Sequence, residues 1–302
     1  MIEDKQLYDL FDRQFRVWPQ LRENHEAFRK IQVKKVIING VPVVVQFNPA
    51  RRASSTAKVD AQSLRLRSCF LCPDSIPLQQ ESLPFGNDYV ILCNPYPIFP
   101  LHFTVPTREH TAQSLNTNRF KDMLELAKGL DKFTVFYNGP KSGASAPDHM
   151  HFQIAVKSYL PINWLKYYTL SPRGDLFLLR GFPVGGILFS TNSKQVAESH
   201  FVRICKVLET PPGETEPMMN VFCNYEDKKW TVTIIPRKKH RPTQYFADDE
   251  GQFLSSPGAA DVGGVFITSR QEDFDKATPD LLSDIYHQVC FSDKEIDTIF
   301  QR

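Results

Sequence analysis

Apolar positions recur three and four residues apart at the start of the chain, with Leu7, Leu10, Phe11 and Phe15 on one side of a helix expected over 3–31. Val17-Trp18-Pro19 interrupts it, because proline lacks the N–H the helical ladder needs. The period then changes to two. "KKVIING" and "VPVVVQFNP" are β-branched runs joined by Asn39-Gly40, a dipeptide suited to the positive φ angles of a tight hairpin. "DYVILCN", "HFTVP", "FTVFYN" and "HMHFQIAV" read as further strands, and "NTNRFKDMLELAKGLDK" as a helix capped by Asn or Thr. Residues 51–68, polar and basic, read as a surface loop, and the aromatic stretch 158–180 reads as an irregular connector. The order is that of an α+β protein dominated by antiparallel sheet, divided near 175 into segments 1–175 and 176–302.

The second half echoes the first. "CNPYPIFPLHFTVPTREH" (93–110) and "CNYEDKKWTVTIIPRKKH" (223–240) align without a gap, pairing Cys93 with Cys223, Asn94 with Asn224, Pro106 with Pro236, Arg108 with Lys238 and His110 with His240. Such matches in one register predict an internal duplication. "PGAADVGGVFIT" (257–268) has the turn-then-strand shape of "APDHMHFQIA" but no histidine, which places the chemistry in the first half.

Composition narrows the class. The 302 residues are 41% hydrophobic and 23% charged, and no run of about eighteen apolar residues is available to span a bilayer. The first twenty residues lack the apolar core of a secretory signal, so a cytoplasmic location is expected, with the six cysteines as reduced thiols or metal ligands. A net charge of +2 supplies no general attraction for nucleic acid or anionic lipid.

Two constellations carry chemistry. Side chains two apart on a strand share a face, so His149, His151 and Gln153 are expected to project together. The preceding "YNGPKSGASAPD" is rich in small residues whose N–H groups and hydroxyls can surround an anion. A neutral imidazole beside a bound phosphate is a nucleophile toward phosphorus. Cys69 and Cys72 form a CxxC, which reads as a redox pair, half of a metal site or two unrelated thiols. As a metal site it needs two more ligands, for which His110 and His149 are candidates and His102 is a substitute for His110. The cluster Arg237, Lys238, Lys239, His240 and Arg241 reads either as a solvated turn or as a group reaching distal phosphates of a substrate.

Together the CxxC, the "HFTVPTREH" strand and turn, and "SGASAPDHMHFQ" resemble the histidine triad superfamily, in its nucleotidylyltransferase and phosphorylase branch. That branch includes galactose-1-phosphate uridylyltransferase and diadenosine tetraphosphate phosphorylase. The resemblance is strong over 45–155 and weak over 218–270. It implies two histidine-triad-like halves, each an antiparallel sheet with helices packed on it, the second degenerate. It also implies His151 as the nucleophile of a nucleotidyl-histidine intermediate, with Gln153 hydrogen-bonding the phosphoryl oxygens of that adduct. Asn138, Ser142, Gly143, Ala144, Ser145 and Arg51 would bind substrate phosphates, and Cys69, Cys72, His110 and His149 would hold a structural zinc. The implied substrates are a nucleoside diphosphate sugar or a dinucleoside polyphosphate, with inorganic phosphate or a phosphate ester as second reactant and neither nucleic acid nor membrane as partner. Met150 stands where the uridylyltransferases have proline, so galactose chemistry is not implied. A hydrolase of nucleotide conjugates and a catalytically silent nucleotide-binding protein are the alternatives.

Overall fold

The structure is a computed structural model that describes residues 1–52 and 59–300. Helices α1 (Asp4–Val17) and α2 (Pro19–Phe28) meet at Trp18, where Pro19 takes the first helical position, the one place its missing N–H costs nothing. Strands β1 (Gln32–Ile38) and β2 (Val41–Phe47) are joined by Asn39 and Gly40 at φ of 52° and 82°. The segment expected as a surface loop holds a short helix, α3 (Ala61–Leu66), which Asp60 caps by accepting from the Ser63 N–H; residues 53–58 of it lie outside the described residues. Strands β3 (Ser82–Phe85), β4 (Tyr89–Cys93) and β5 (His102–Pro106) lead to α4 (Thr117–Ala127), whose Asn116 cap accepts from Arg119, and then to β6 (Phe133–Asn138) and β7 (His151–Val156). The expected irregular connector contains a hairpin, β8 (Thr169–Arg173) and β9 (Leu176–Arg180). After it come β10 (Ile187–Thr191), α5 (Lys194–Val207), β11 (Met219–Glu226) and β12 (Lys229–Pro236). The chain finishes with α6 (Ala259–Val262), β13 (Val265–Thr268), α7 (Gln271–Lys276), α8 (Pro279–Val289) and α9 (Asp293–Ile299).

Among the described residues these strands form a ten-stranded antiparallel sheet and a three-stranded sheet β1-β2-β13. The large sheet runs β3-β4-β5-β7-β6-β11-β12-β10-β9-β8. Read outward from the central β6–β11 pair, the arms are β6, β7, β5, β4, β3 and β11, β12, β10, β9, β8. Each arm has one helix between its third and fourth strands in chain order, so the α+β fold is a duplication with a pseudo-twofold axis at its centre. Val135-Phe136-Tyr137-Asn138 matches Val221-Phe222-Cys223-Asn224, and across the axis the Thr134 hydroxyl donates to Asn224 Oδ1 at 2.6 Å while Asn220 Nδ2 donates to Asn138 Oδ1 at 2.9 Å.

The duplicated segments are not those the sequence echo pairs. The sheet equates β4–β5 with β9–β10 and the histidine strand β7 with β12, whereas the echo sets β4–β5 against β11–β12. Nor is 257–268 a copy of the histidine segment, because β13 lies in the other sheet, parallel to β2. A buried strand leaving at a proline and a basic turn is a local pattern, and it carries no record of position in a sheet. The division expected at 175 passes between β8 and β9, which pair with each other.

Alternation along the strands sorts the core into two layers. Phe103, Val105, Val135, Phe152, Ile154, Val221 and Val232 face α1, α2, α4 and α5. Phe136, Ala155, Phe222 and Ile235 face the other way, toward β2, β13 and helices α6 and α8. The site lies on this second face.

Candidate functional site

Strand β7 begins at His151, so His149 is not on it but in the turn just before. The expected common face therefore applies to His151 and Gln153 and not to His149. Gln113 fixes the start of the strand: its Oε1 accepts from the His151 N–H at 2.8 Å, and its Nε2 donates to the carbonyls of His151 and Asn138 at 3.1 and 2.8 Å. His151 Nδ1 lies 2.8 Å from the carbonyl oxygen of His149. A carbonyl only accepts, so the proton sits on Nδ1 and the lone pair on Nε2. Burial pushes the pKa of His151 down to about 4, which leaves the ring neutral at pH 7.

Gln153, two residues along the same face, accepts at Oε1 from His102 Nε2 at 2.7 Å. Its amide NH2 is thereby left for a ligand. His102 stacks on Phe136 with ring centres 6.3 Å apart, so it orients Gln153 and does not stand in for His110 in the cysteine cluster.

A cleft opens over this face, lined by Arg51, Asn138, Gly143, Ser145 and Gln153 among the expected residues. His151 itself keeps 5% of its surface exposed, while Ser142 and Ala144 are buried behind the loop. Arg51 donates to the carbonyl of Tyr96 at 3.1 Å; burial lowers its pKa to about 10, and it stays charged. The far wall is Ser255, Ser256 and Gly258 to Asp261, from a segment to which sequence reasoning assigned no role. Asn138 Oδ1 accepts from the Ala259 N–H at 2.6 Å as well as from Asn220, leaving its own NH2 to face the cleft.

Behind the loop, Arg237 is buried and donates to Asn220 Oδ1 (2.7 Å) and to the carbonyls of Pro257 (2.8 Å) and Val289 (3.0 Å). The basic cluster is thus neither a solvated turn nor a single phosphate-reaching group. Arg237 ties the two cleft walls together, Lys238 pairs with Glu295 at 3.0 Å, and Arg241 donates to Ser256 at 2.7 Å. No short motif marks Asn220, Arg237 or Gln113 for these positions, which depend on strands brought together from distant parts of the chain.

Gly143 has φ of +94°, and a Cβ there would lie 2.3 Å from the Gly258 Cα. Gly143→Ala is therefore expected to destabilise the protein by about 3 kcal/mol or more, from backbone strain plus a clash against main chain. Gly174→Ala is the control, since Gly174 has φ of +62° with nothing within 4 Å; equal urea midpoints for the two variants would refute the close packing of the walls.

The second half also supports the histidine strand through Glu216, a buried carboxylate that accepts from the Tyr137 hydroxyl at 2.9 Å and from the Leu115 N–H, two residues from Gln113. Burial raises its pKa from 4.5 to about 7. Between those values the native protein holds a proton that the unfolded chain has released, so stability falls as pH rises through this window and levels off above it. The loss is about 3 kcal/mol. Glu216→Gln is expected to match the natural protein near pH 4.5 and to exceed its stability at pH 8 by up to that amount, as urea unfolding at the two pH values will show.

Cys69 and Cys72 follow α3 in a turn closed by the Cys72 N–H on the Cys69 carbonyl, and Arg67 beside them binds Asp148 at 2.6 Å. The two thiols thus meet the histidine turn. Cys69 Sγ is 3.3 Å from His149 Nδ1 and Cys72 Sγ is 3.1 Å from His110 Nδ1, with the four ligand atoms all within 4.8 Å of one another. His149 Nε2 donates to the Thr107 carbonyl at 2.8 Å, which turns the Nδ1 lone pair toward the thiols. Tetrahedral bonds of about 2.0–2.3 Å put ligand atoms roughly 3.5 Å apart, and these residues fit that spacing as a group able to hold a metal ion.

Comparison with known proteins places this geometry. The family described as Domain of unknown function (DUF4922) matches residues 10–156, and the family described as GDPGP1-like, C-terminal domain matches residues 167–301. No curated protein matches the chain in sequence. Among solved structures, yeast Ap4A phosphorylase in complex with Ap4A superposes with a TM-score of 0.64 at 17% identity, over 97% of this chain and 99% of that one. The same yeast enzyme in complex with AMP gives 0.61 at 18% identity, over 97% and 99%. At these identities the likeness is one of fold. The chain is built on the fold of yeast Ap4A phosphorylase, with its two parts matching the families described as Domain of unknown function (DUF4922) and GDPGP1-like, C-terminal domain.

Proposed function

We propose that the protein is a nucleotidyltransferase of phosphorylase type, which splits a nucleoside diphosphate sugar or a dinucleoside polyphosphate through a nucleotidyl-histidine at His151. The observation that carries this reading is the hydrogen bond from His151 Nδ1 to the His149 carbonyl, which leaves Nε2 unprotonated on the face that Gln153 shares with the cleft. Nε2 attacks the α-phosphorus, and the bond from that phosphorus to the bridging oxygen breaks, so the distal part departs as a phosphate anion. The adduct keeps its proton on Nδ1. The positive charge this gives the ring is shared with the His149 carbonyl, and a cationic imidazole is a good leaving group. Inorganic phosphate then attacks the same phosphorus, releasing a nucleoside diphosphate and restoring Nε2. The NH2 groups of Gln153 and Asn138, the loop at Gly143 to Ser145 and the charge of Arg51 stabilise the phosphoryl oxygens, a contribution often worth about 3 kcal/mol per donor.

The proposal includes a zinc ion on Cys69, Cys72, His110 and His149. Four protein ligands close the coordination sphere, so the ion supports structure and supplies no bound water for reaction. Its effect on chemistry is to anchor the turn whose carbonyl sets the His151 tautomer.

The test is intact-mass analysis after incubation with nucleotide sugars and dinucleoside polyphosphates without inorganic phosphate. A gain of one nucleoside monophosphate, discharged on adding phosphate, is expected. Turnover without any adduct would turn the reading toward a hydrolase, and tight binding without turnover toward a silent nucleotide binder.

A further inference from the structure

By strand register, β12 places Thr231 and Thr233 where β7 has His151 and Gln153, so the second half has no nucleophile of its own. It reaches the cleft by another route. Asn220 pairs with Asn138 across the central seam. Arg237 donates to Asn220 Oδ1 at 2.7 Å, and Asn220 Nδ2 donates to the Ser142 carbonyl at 2.7 Å and to Asn138 Oδ1 at 2.9 Å. The Ala259 N–H donates to the same Asn138 oxygen at 2.6 Å. Arg237 and Asn220 are buried, so water offers these groups no alternative partner.

Each amide in this chain has its direction set from two sides. A guanidinium only donates and a carbonyl only accepts, so Asn220 must turn its oxygen to Arg237 and its NH2 to Ser142. That NH2 and the Ala259 N–H are both donors, and together they hold the oxygen of Asn138 and leave its NH2 to the cleft. Rotating either amide by half a turn would set donor against donor in a buried place, which is costly. Gly258 permits the close approach, since a Cβ there would lie 3.0 Å from Asn138 Oδ1.

The other half of the duplication shows what such an amide does. Thr134 and Asn224 are the counterparts of Asn220 and Asn138. The Thr134 hydroxyl donates to Asn224 Oδ1 at 2.6 Å, and Asn224 Nδ2 donates to Asn163 Oδ1 at 2.9 Å. Asn163 Nδ2 donates to the Thr134 oxygen and to the Lys157 carbonyl, both at 3.0 Å, which turns the Asn163 oxygen toward Asn224. Twice, then, a donor from across the pseudo-twofold axis aims an asparagine NH2 away from itself. In the second half the chain itself supplies the oxygen that receives it; in the first, the NH2 opens on the cleft beside Gln153.

We propose, resting on the nucleotidyl-transfer reading, that Arg237 and Asn220 are positioning residues for the reaction at His151, acting through Asn138. They lock the Asn138 amide with its NH2 toward an oxygen of the α-phosphorus, and so give the half without a nucleophile a part in the transfer.

Threonine and valine at position 220 test this, because they share a shape and differ by the hydroxyl that the other half uses at Thr134. With the panel compound that loads the natural full-length protein, at saturation and without inorganic phosphate, Asn220→Thr is expected to form the His151 adduct within about threefold of the natural rate. Asn220→Val should be at least about thirtyfold slower than Asn220→Thr, with a matching near-ultraviolet circular dichroism spectrum. In an Asn138→Ala background the gap between the two should close to about twofold or less. Should valine prevent folding, Asn220→Ser against Asn220→Ala makes the same comparison. Equal adduct rates with and without the hydroxyl, or a gap that survives Asn138→Ala, would overturn the relay while leaving the nucleotidyl-transfer reading in place. Absence of adduct from every panel compound sinks that reading by itself, and the relay is then decided by calorimetric binding of ADP and GDP: about tenfold weaker for Asn220→Val than for Asn220→Thr if it holds, equal if it does not.

Discussion

Replacing His151 with alanine is expected to lower phosphorolysis by at least about four orders of magnitude, because a covalent route has no second path once its nucleophile is gone. The protein should still fold, since Gln113 holds the main chain of residue 151 and not its ring. Near-ultraviolet circular dichroism of the variant should therefore match the natural protein while the nucleotide adduct disappears. Activity within tenfold of the natural protein would show that the imidazole does not carry the group. Gln113→Ala offers the complementary case, in which the ring remains and its strand is no longer pinned.

Loss of the proposed metal ion would be the second large effect. Cys72→Ser is expected to lose one bound ion per chain and to lower the melting temperature by about 10 °C, equivalent to about 3–5 kcal/mol in a domain of this size. The cluster draws its ligands from the turn after α3, the turn after β5 and the turn before β7. Without the ion, three separately anchored segments lose their common fastening. Activity should fall with stability, because the His149 carbonyl that fixes the proton on His151 belongs to one of them. Metal content by mass spectrometry and melting by calorimetry decide it together: an ion-free natural protein, or an unchanged melting temperature in Cys72→Ser, would remove the structural role.

Local chemistry was readable in the sequence, and long-range assembly was not. The break at Pro19, the Asn39-Gly40 hairpin, the Asn116 cap and the strands of the first half follow from rules that act within a few residues. The grouping of Cys69, Cys72, His110 and His149 follows from residue type and resemblance, although Cys72 and His110 are 38 positions apart and Cys69 and His149 are 80. The alternation puts the start of β7 at His149, two residues before the strand begins, because His149 continues the pattern while its main chain is turning. The cleft's far wall at 255–261 and the burial of Arg237 lie beyond sequence reading for one shared reason. Their roles come from carbonyls and side chains on opposite walls, and a run of Lys and Arg in sequence does not disclose that one member is enclosed. The echo between 93–110 and 223–240 pointed to a repeat that exists, in a register that the strand pairing does not use.

The β6–β11 pair is the seam along which the two five-stranded halves of the large sheet are stitched, and with the β2–β13 pair it governs how the protein can come apart. Separated there, each portion would present a long apolar margin of unpaired N–H and C=O groups, an arrangement prone to aggregation. Melting should accordingly register as one event and not two. The same margins make the pieces each other's natural complement: two chains produced together, broken between Val156 and Thr169, should zip along that line and recover one reactive imidazole per pair.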